Sequence, residues 1–148
     1  MTLSDLQEIE MTAVRLLTAR EHSRKELSGK LSSRGFDREQ IETVLDELAH
    51  RGLQSDLRFA EGYVEERVRK GSGPLRIRAE LRERGLEDGL IERSLEPYAD
   101  EWPVKLQRVH EQKYGTQPPK DRKEMARRAR FLEYRGFPSD LIAALLFD

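Results

Sequence analysis

The sequence lacks cysteine and contains few aromatic residues, and each shortage narrows what the chain can be. Without cysteine there can be no disulfide, no thiolate metal ligand and no cysteine nucleophile. One tryptophan, four tyrosines and five phenylalanines in 148 residues leave little material for a large core. No apolar run approaches the length of a membrane span, and the opening residues, MTLSDLQEIEMTAV, lack the basic-then-apolar pattern of a signal peptide. We therefore expect a soluble, cytoplasmic protein.

Charge is abundant but balanced. The chain has 27 Lys and Arg against 28 Asp and Glu, a net charge of −1. Disordered chains combine high net charge with few apolar residues, whereas the apolar residues here recur at helical spacing, so we expect a folded chain with a heavily solvated surface. The near-zero total does not favour nucleic acid as the sole partner.

Catalytic and metal-binding patterns are also missing. His22, His50 and His110 are isolated from one another and show no spacing typical of ligands, so surface or capping roles are expected. No Ser/His/Asp or paired-carboxylate constellation stands out among so many acidic residues. The sequence predicts no enzyme, no metal site and no cofactor.

The chain instead contains an internal repeat. The signature Arg-Gly-(Phe/Leu) occurs three times, at Gly35, Gly85 and Gly136, with spacings of 50 and 51 residues. In each copy a leucine lies four residues before the glycine, an isoleucine six after it and a leucine ten after it. This agreement predicts three copies of one unit, at 1–52, 53–101 and 102–148.

Each copy has the pattern of three short helices. Ser23 with Glu26, and Asp121 with Glu124, have the spacing of capping boxes. No stretch alternates at period two for long enough to form a strand. We predict an all-α fold of three tandem three-helix repeats, stacked so that neighbouring units extend one core into an elongated, gently curved array.

The stretch 58–86 is the most recognisable part of the middle copy. It consists of a helix, a break at 71–73 with the sequence Gly-Ser-Gly, and a second helix opening on Pro74, whose fixed φ suits the first helical position. The break could cradle a phosphate, but it lacks the Gly-Lys-Ser/Thr ending of a P-loop and no strand precedes it. A flexible connection between helices is the simpler interpretation.

Charge follows the repeat. The second helix of every copy is basic, and the third helix is acidic in the first two copies. These charges either form a solvated, lightly paired surface or line a binding surface, and the recurrence in three copies favours binding. A helix-turn-helix repressor is disfavoured, because the helix after each turn would bring carboxylates to the phosphates of DNA.

Three residues of the first helix of the middle copy allow two interpretations. Phe59 and Tyr63 share a helix face, so core packing comes first, and stacking of Tyr63 on bases beside Arg67 second. Arg58 either bonds to a neighbouring helix end or contributes to binding, and the residues alone do not decide between these roles.

The motifs resemble those of the RecX regulatory proteins. The resemblance is carried by Arg58-Phe59-Ala60, Tyr63-Val64, Arg67, Gly73-Pro74, Arg76-Ile77 and Glu80-Leu81, and in the first copy by Arg20-Glu21-His22-Ser23, Glu26-Leu27, Lys30-Leu31 and Arg34-Gly35-Phe36. It covers essentially the whole chain and is thinnest after Trp102. One departure is Gln54-Ser55-Asp56, where that family more often has a Leu-Asp/Asn-Asp turn.

The resemblance implies three tandem three-helix repeats and binding in the groove of the RecA filament on DNA. It further implies inhibition of RecA's ATP hydrolysis and strand exchange, and so modulation of recombination, repair and the SOS response. We expect a monomer with no cofactor that binds single- or double-stranded DNA weakly alone. The predicted partner contacts are Arg67, Arg69, Lys70, Arg76, Arg78 and Arg82, with a second patch at Arg127, Arg128 and Arg130. The alternative is a DNA-binding or scaffold protein that uses its basic band without RecA.

Overall fold

The computed structural model describes residues 4–147. Within that range the chain forms nine α-helices, one 3-10 turn at Glu96–Tyr98, and no strand. The helices are α1 (Asp5–Ala19), α2 (Arg24–Ser33), α3 (Arg38–His50), α4 (Asp56–Arg69), α5 (Pro74–Glu83), α6 (Asp88–Leu95), α7 (Trp102–Tyr114), α8 (Arg122–Arg135) and α9 (Ser139–Phe147). Helices α1–α3, α4–α6 and α7–α9 form the first, second and third repeats, which confirms the predicted all-α fold. In the described range no helix has the length and apolarity needed to cross a membrane.

Side chains cap the helix starts largely as predicted. Ser23 and Glu26 form the expected capping box at α2. The capping box expected at α8 is wrong in one of its two hydrogen bonds. Asp121 accepts a hydrogen bond from the Glu124 N–H at 2.8 Å, but the Glu124 carboxylate accepts from the Lys120 N–H, not from that of Asp121. The helix start therefore has a one-sided cap.

The core is divided, which corrects the expectation of one core extended through all units. The first repeat closes its own apolar cluster, which includes Ile9, Leu27, Leu31, Ile41, Val44, Leu45 and Leu48. The second and third repeats share a second cluster, which runs from Phe59 through Trp102 to Ile142. Hydrogen bonds join the first repeat to the second, among them the Arg24 N–H to the Asp56 carboxylate (2.8 Å) and the Gln54 side-chain amide to the His22 carbonyl (3.3 Å).

The two junctions between repeats use the same arrangement. At the second junction, the start of α5 meets the end of α8: the Gly73 N–H donates to the Arg135 carbonyl (2.7 Å) and the Leu75 N–H to that of Gly136 (2.9 Å). At the first junction, the start of α2 meets the end of α5: the Ser23 hydroxyl donates to the Arg84 carbonyl at 2.8 Å. The positive end of one helix dipole thus faces the negative end of the next, which is favourable.

The second helices of the three repeats therefore form a row, each docked end to end on the next. The accessible surface of the protein is 9585 Å², against about 7,800 Å² expected for a compact monomer of this mass. The excess surface agrees with the predicted elongated shape.

Candidate partner-binding surface

Every one of the six predicted contact residues has a carboxylate within ion-pair distance. The pairs are Arg67 Nε–Glu80 (3.1 Å), Arg76 Nε–Glu80 (3.5 Å), Arg69 Nη2–Glu66 (2.7 Å), Lys70 Nζ–Glu66 (3.2 Å), Arg78 Nε–Glu92 (2.8 Å) and Arg82 Nε–Asp88 (3.0 Å). The residues that form a basic cluster in the sequence are thus each paired with an acidic side chain in the folded protein.

These pairs divide the six cations into three groups. Glu80 joins Arg67 to Arg76 and so links α4 to α5. A second group, Arg69 and Lys70, shares Glu66 at the end of α4. The third, Arg78 and Arg82, reaches across to the start and middle of α6. The six cations are therefore neutralised by four different carboxylates, Glu66, Glu80, Asp88 and Glu92.

The six side chains differ in solvent exposure. The more exposed cations can leave their carboxylate for one on a binding partner, whereas the less exposed ones hold helices together. The side chains of Arg69, Lys70 and Arg82 are 70 %, 56 % and 59 % exposed, whereas Arg78 is 31 % exposed. Hydrogen bonding to Glu92 raises the pKa of Arg78, and hydrogen bonds from Arg69 and Lys70 lower the pKa of Glu66. Exposed ion pairs contribute little to stability and are screened by salt, so the exposed cations can accept a carboxylate from a partner instead.

The third repeat has a different charge balance from the other two. Residues 102–148 carry ten Lys and Arg against six Asp and Glu, a net charge of +4, whereas 1–52 and 53–101 carry −2 and −3. The cause lies in α9, whose sequence SDLIAALLF contains Asp140 as its one acidic residue. Most cations of α8 consequently have no carboxylate within 4.0 Å among the residues described; they are Arg122, Lys123, Arg127, Arg130 and Arg135.

Arg128 does not belong to the predicted second patch, because it is buried. The residue is 3 % exposed, and its guanidinium donates to Glu124 (2.5 Å), to the Gln117 carbonyl (2.9 Å) and to His110 Nε2 (3.2 Å). The guanidinium also lies over the Tyr114 ring, 4.7 Å from its centroid. Arg128 therefore ties α8 to α7 and the loop between them.

The Gly-Ser-Gly break is a docking surface and does not cradle a phosphate. All three backbone N–H groups are taken by carbonyls: Gly71 donates to Val68, Ser72 to Arg67 and Gly73 to Arg135. A Cβ placed on Gly73 would lie 2.5 Å from the Gly136 carbonyl carbon. The backbone of the third repeat can therefore pack this closely against the break only because residue 73 is glycine. The contact across the junction also argues against the expected flexible connection.

Arg58 is structural in this fold. Its guanidinium donates to the carbonyls of Gly52 (3.1 Å) and Leu53 (3.2 Å) just beyond α3, and to Glu21 (2.7 Å). It therefore joins the second repeat to the first, as the helix-end interpretation proposes.

Phe59 and Tyr63 pack as core residues. Phe59 is 6 % exposed, and the two rings stack with centroids 5.7 Å apart. The Arg84 guanidinium covers the Tyr63 ring, with its carbon 4.7 Å from the centroid. Tyr63 is thus already occupied by a cation from the same chain.

Two of the three histidines are buried, which corrects the expected surface role. His22 is 1 % exposed; its Nδ1 donates to the Arg20 carbonyl (3.0 Å) and its Nε2 accepts from Lys30 Nζ (2.8 Å). Burial lowers the pKa of His22 and also that of His110, where the Arg128 charge adds to the effect. His50 is exposed as expected. Among residues 4–147, no group of three or more His, Cys, Asp or Glu could hold a metal ion.

Comparison with known proteins identifies the family. Models of the first, second and third three-helix domains of RecX match residues 11–48, 55–95 and 104–146. The chain belongs to the RecX family. The regulatory protein RecX of Pseudomonas syringae pv. tomato is 47 % identical over 93 % of this chain and 89 % of its own length. That of Halorhodospira halophila is 46 % identical, over 89 % of this chain and 82 % of its own.

The fold agrees with this assignment. The crystal structure of RecX from Lactobacillus salivarius superposes with a TM-score of 0.83 at 24 % identity, covering 97 % of this chain and 95 % of that one. RecX is a regulatory family, and the three-domain match reproduces the three repeats that the Arg-Gly signatures predict.

Proposed function

We propose that this chain is a non-enzymatic inhibitor of RecA that binds in the groove of the RecA–DNA filament. In this role it slows RecA's ATP hydrolysis and strand exchange, and so modulates recombination, DNA repair and the SOS response in the bacterial cytoplasm. The proposal rests on the RecX family and on one structural observation: the second helices of the repeats are docked end to end in an elongated row.

Such a row suits a helical filament as a partner. Each repeat can contact a different stretch of the filament, and contacts that are weak alone combine when they are carried by one chain. The docking hydrogen bonds hold the repeats at fixed spacing, so a single monomer loses little conformational freedom on binding.

We propose that the six cations of the second repeat contribute to this contact, with most of the binding from the exposed Arg69, Lys70 and Arg82. Acidic side chains of a partner would replace Glu66 and Asp88, an exchange that costs little for exposed ion pairs. The less exposed Arg67, Arg76 and Arg78 would act mainly by holding α4, α5 and α6 together.

The test is the rate of single-stranded-DNA-dependent ATP hydrolysis by RecA, with this protein added below the RecA concentration. The triple variant Arg69→Gln, Lys70→Gln, Arg82→Gln should inhibit less than the parent. The matched control changes Arg15, Arg38 and Arg93 to Gln, three exposed arginines with no carboxylate within 4.0 Å in the described range. Equal inhibition by the two triple variants would refute the contact assignment.

A second function, DNA binding or scaffolding without RecA, is favoured by one observation: most cations of α8 have no carboxylate within 4.0 Å among residues 4–147. It predicts salt-sensitive binding to bare DNA with no effect on RecA's ATP hydrolysis. Inhibition of ATP hydrolysis at substoichiometric protein would argue against it.

A further inference from the structure

We propose that one face of α8, the α8 stripe, binds single-stranded nucleic acid. The stripe consists of Lys123, Arg127, Arg130 and Tyr134, whose spacings of four, three and four residues place them on one side of the helix. All four side chains are exposed, and together they extend over about 16 Å of helix. The three cations would contact phosphates, and Tyr134 would stack on a base.

The cations of the stripe are available to phosphates. Among residues 4–147, none of the three has a carboxylate within 4.0 Å, in contrast to the cations of α5. One acidic residue, Glu133, is exposed beside Tyr134. The neighbouring helix α9 has no acidic residue after Asp140 that could pair with these cations. The positive charge of the α8 stripe is therefore available to an anionic ligand from solvent.

Tyr134 is the feature that points to unpaired bases. Its 74 % exposure exceeds that of every other exposed large hydrophobic side chain in the described range. The Arg76 guanidinium from the second repeat lies over the ring, 5.1 Å from its centroid, but in contrast to the partly buried Tyr63 under Arg84, the Tyr134 side chain remains exposed. An exposed aromatic ring in line with arginines is the arrangement that binds single strands, where bases stack on aromatic side chains and the backbone follows the cations.

A single strand fits this face better than a duplex or an acidic protein. In a duplex the base faces are already stacked on one another, so Tyr134 would have no surface to cover. An acidic peptide could pair with the cations, but it carries no flat ring system for Tyr134.

The test is fluorescence anisotropy of a labelled oligothymidine with the full chain, at several salt concentrations and without RecA. The double variant Arg127→Gln, Arg130→Gln should reduce the slope of log K against log salt by about 1.4, since each phosphate contact on a single strand contributes about 0.7. Tyr134→Ala should weaken binding about five-fold or more without changing that slope, and Tyr134→Phe should restore most of the affinity. The matched control, Arg38→Gln with Arg93→Gln, removes the same charge from exposed positions elsewhere and should leave the slope as in the parent.

Three results would overturn the proposal: an equal slope change in the stripe and control variants, tighter binding to a duplex of the same length, or unchanged affinity in Tyr134→Ala. A loss of binding to polyglutamate in the stripe variant, with oligothymidine binding retained, would assign the face to an acidic protein instead. Because RecA is absent, failure here is distinct from failure of the proposed function. Circular dichroism of each variant shows whether it is folded.

Discussion

At Gly136, we expect a single added methyl group to disrupt the junction of the second and third repeats. The residue ends α8 with φ +100°, and a Cβ there would lie 2.6 Å from the Arg76 backbone nitrogen. Gly136→Ala would thus meet two penalties: the left-handed backbone costs about 1–2 kcal/mol, and overpacking against α5 about 1–3 kcal/mol more.

Gly35 provides the matched control. It occupies the equivalent position in the first repeat, with φ +87°, but a Cβ there would meet nothing within 4 Å, because no repeat docks on that end of α2. Gly35→Ala therefore carries the backbone penalty without the docking penalty. The difference between the two variants, about 1–3 kcal/mol, isolates the contribution of the junction.

Urea unfolding followed by tryptophan fluorescence and circular dichroism would measure this difference. Trp102 is 7 % exposed and lies in the core shared by the second and third repeats, so its emission reports that unit. When fluorescence and circular dichroism give one common transition, so that both probes report the whole chain, Gly136→Ala should unfold at a midpoint about 0.5–1.5 M below that of Gly35→Ala, for a urea slope of about 2 kcal/mol per M. Equal midpoints would refute the docking role of the Arg-Gly signature.

Two further predictions concern buried polar groups. Arg128→Ala should lower the free energy of unfolding by about 1–3 kcal/mol, because it leaves the Gln117 carbonyl and His110 Nε2 without their hydrogen-bond donor. Arg128→Met, which keeps more of the packing of this buried side chain, should lose less. Urea titration measures both, and midpoints equal to that of the parent would contradict the role of this side chain. The lowered pKa values of His22 and His110 predict that the protein loses stability in acid, because the unfolded chain takes up protons on these histidines before the folded chain does. Their contribution to stability is fully present above about pH 6.5, the ordinary pKa of histidine, and is lost as the pH falls from there through the lower pKa values of the folded state. Thermal unfolding between about pH 7.5 and 5.5 checks this; replacing both histidines by Gln should flatten the dependence, and an unchanged dependence would show that other groups cause it.

The repeat could be predicted from sequence because its markers are local. A glycine that ends a helix and the leucine and isoleucine around it act within one copy, so Gly35, Gly85 and Gly136 show the period without any tertiary knowledge. The start of α2 at Ser23 was predictable for the same reason, since a capping box is formed by residues three apart.

The candidate site was harder to predict, because its electrostatics depend on contacts between helices. Nothing in the order of residues shows that Arg78 lies 2.8 Å from Glu92, or that Arg128 turns inward while its neighbour Arg127 faces solvent. The docking role of Gly73 likewise depends on a carbonyl 62 residues away, at Arg135. The spacing of the α8 stripe is visible in the sequence, but its availability follows only from the lack of acidic residues in the helix packed beside it.

The most direct test of the central claim is RecA's ATP hydrolysis on single-stranded DNA as this protein is titrated in. We predict strong inhibition at substoichiometric protein, reduced in the Arg69→Gln, Lys70→Gln, Arg82→Gln variant and retained in the Arg15→Gln, Arg38→Gln, Arg93→Gln control. Unchanged hydrolysis at a protein concentration equal to that of RecA would contradict the claim that this RecX-family chain acts on the RecA filament.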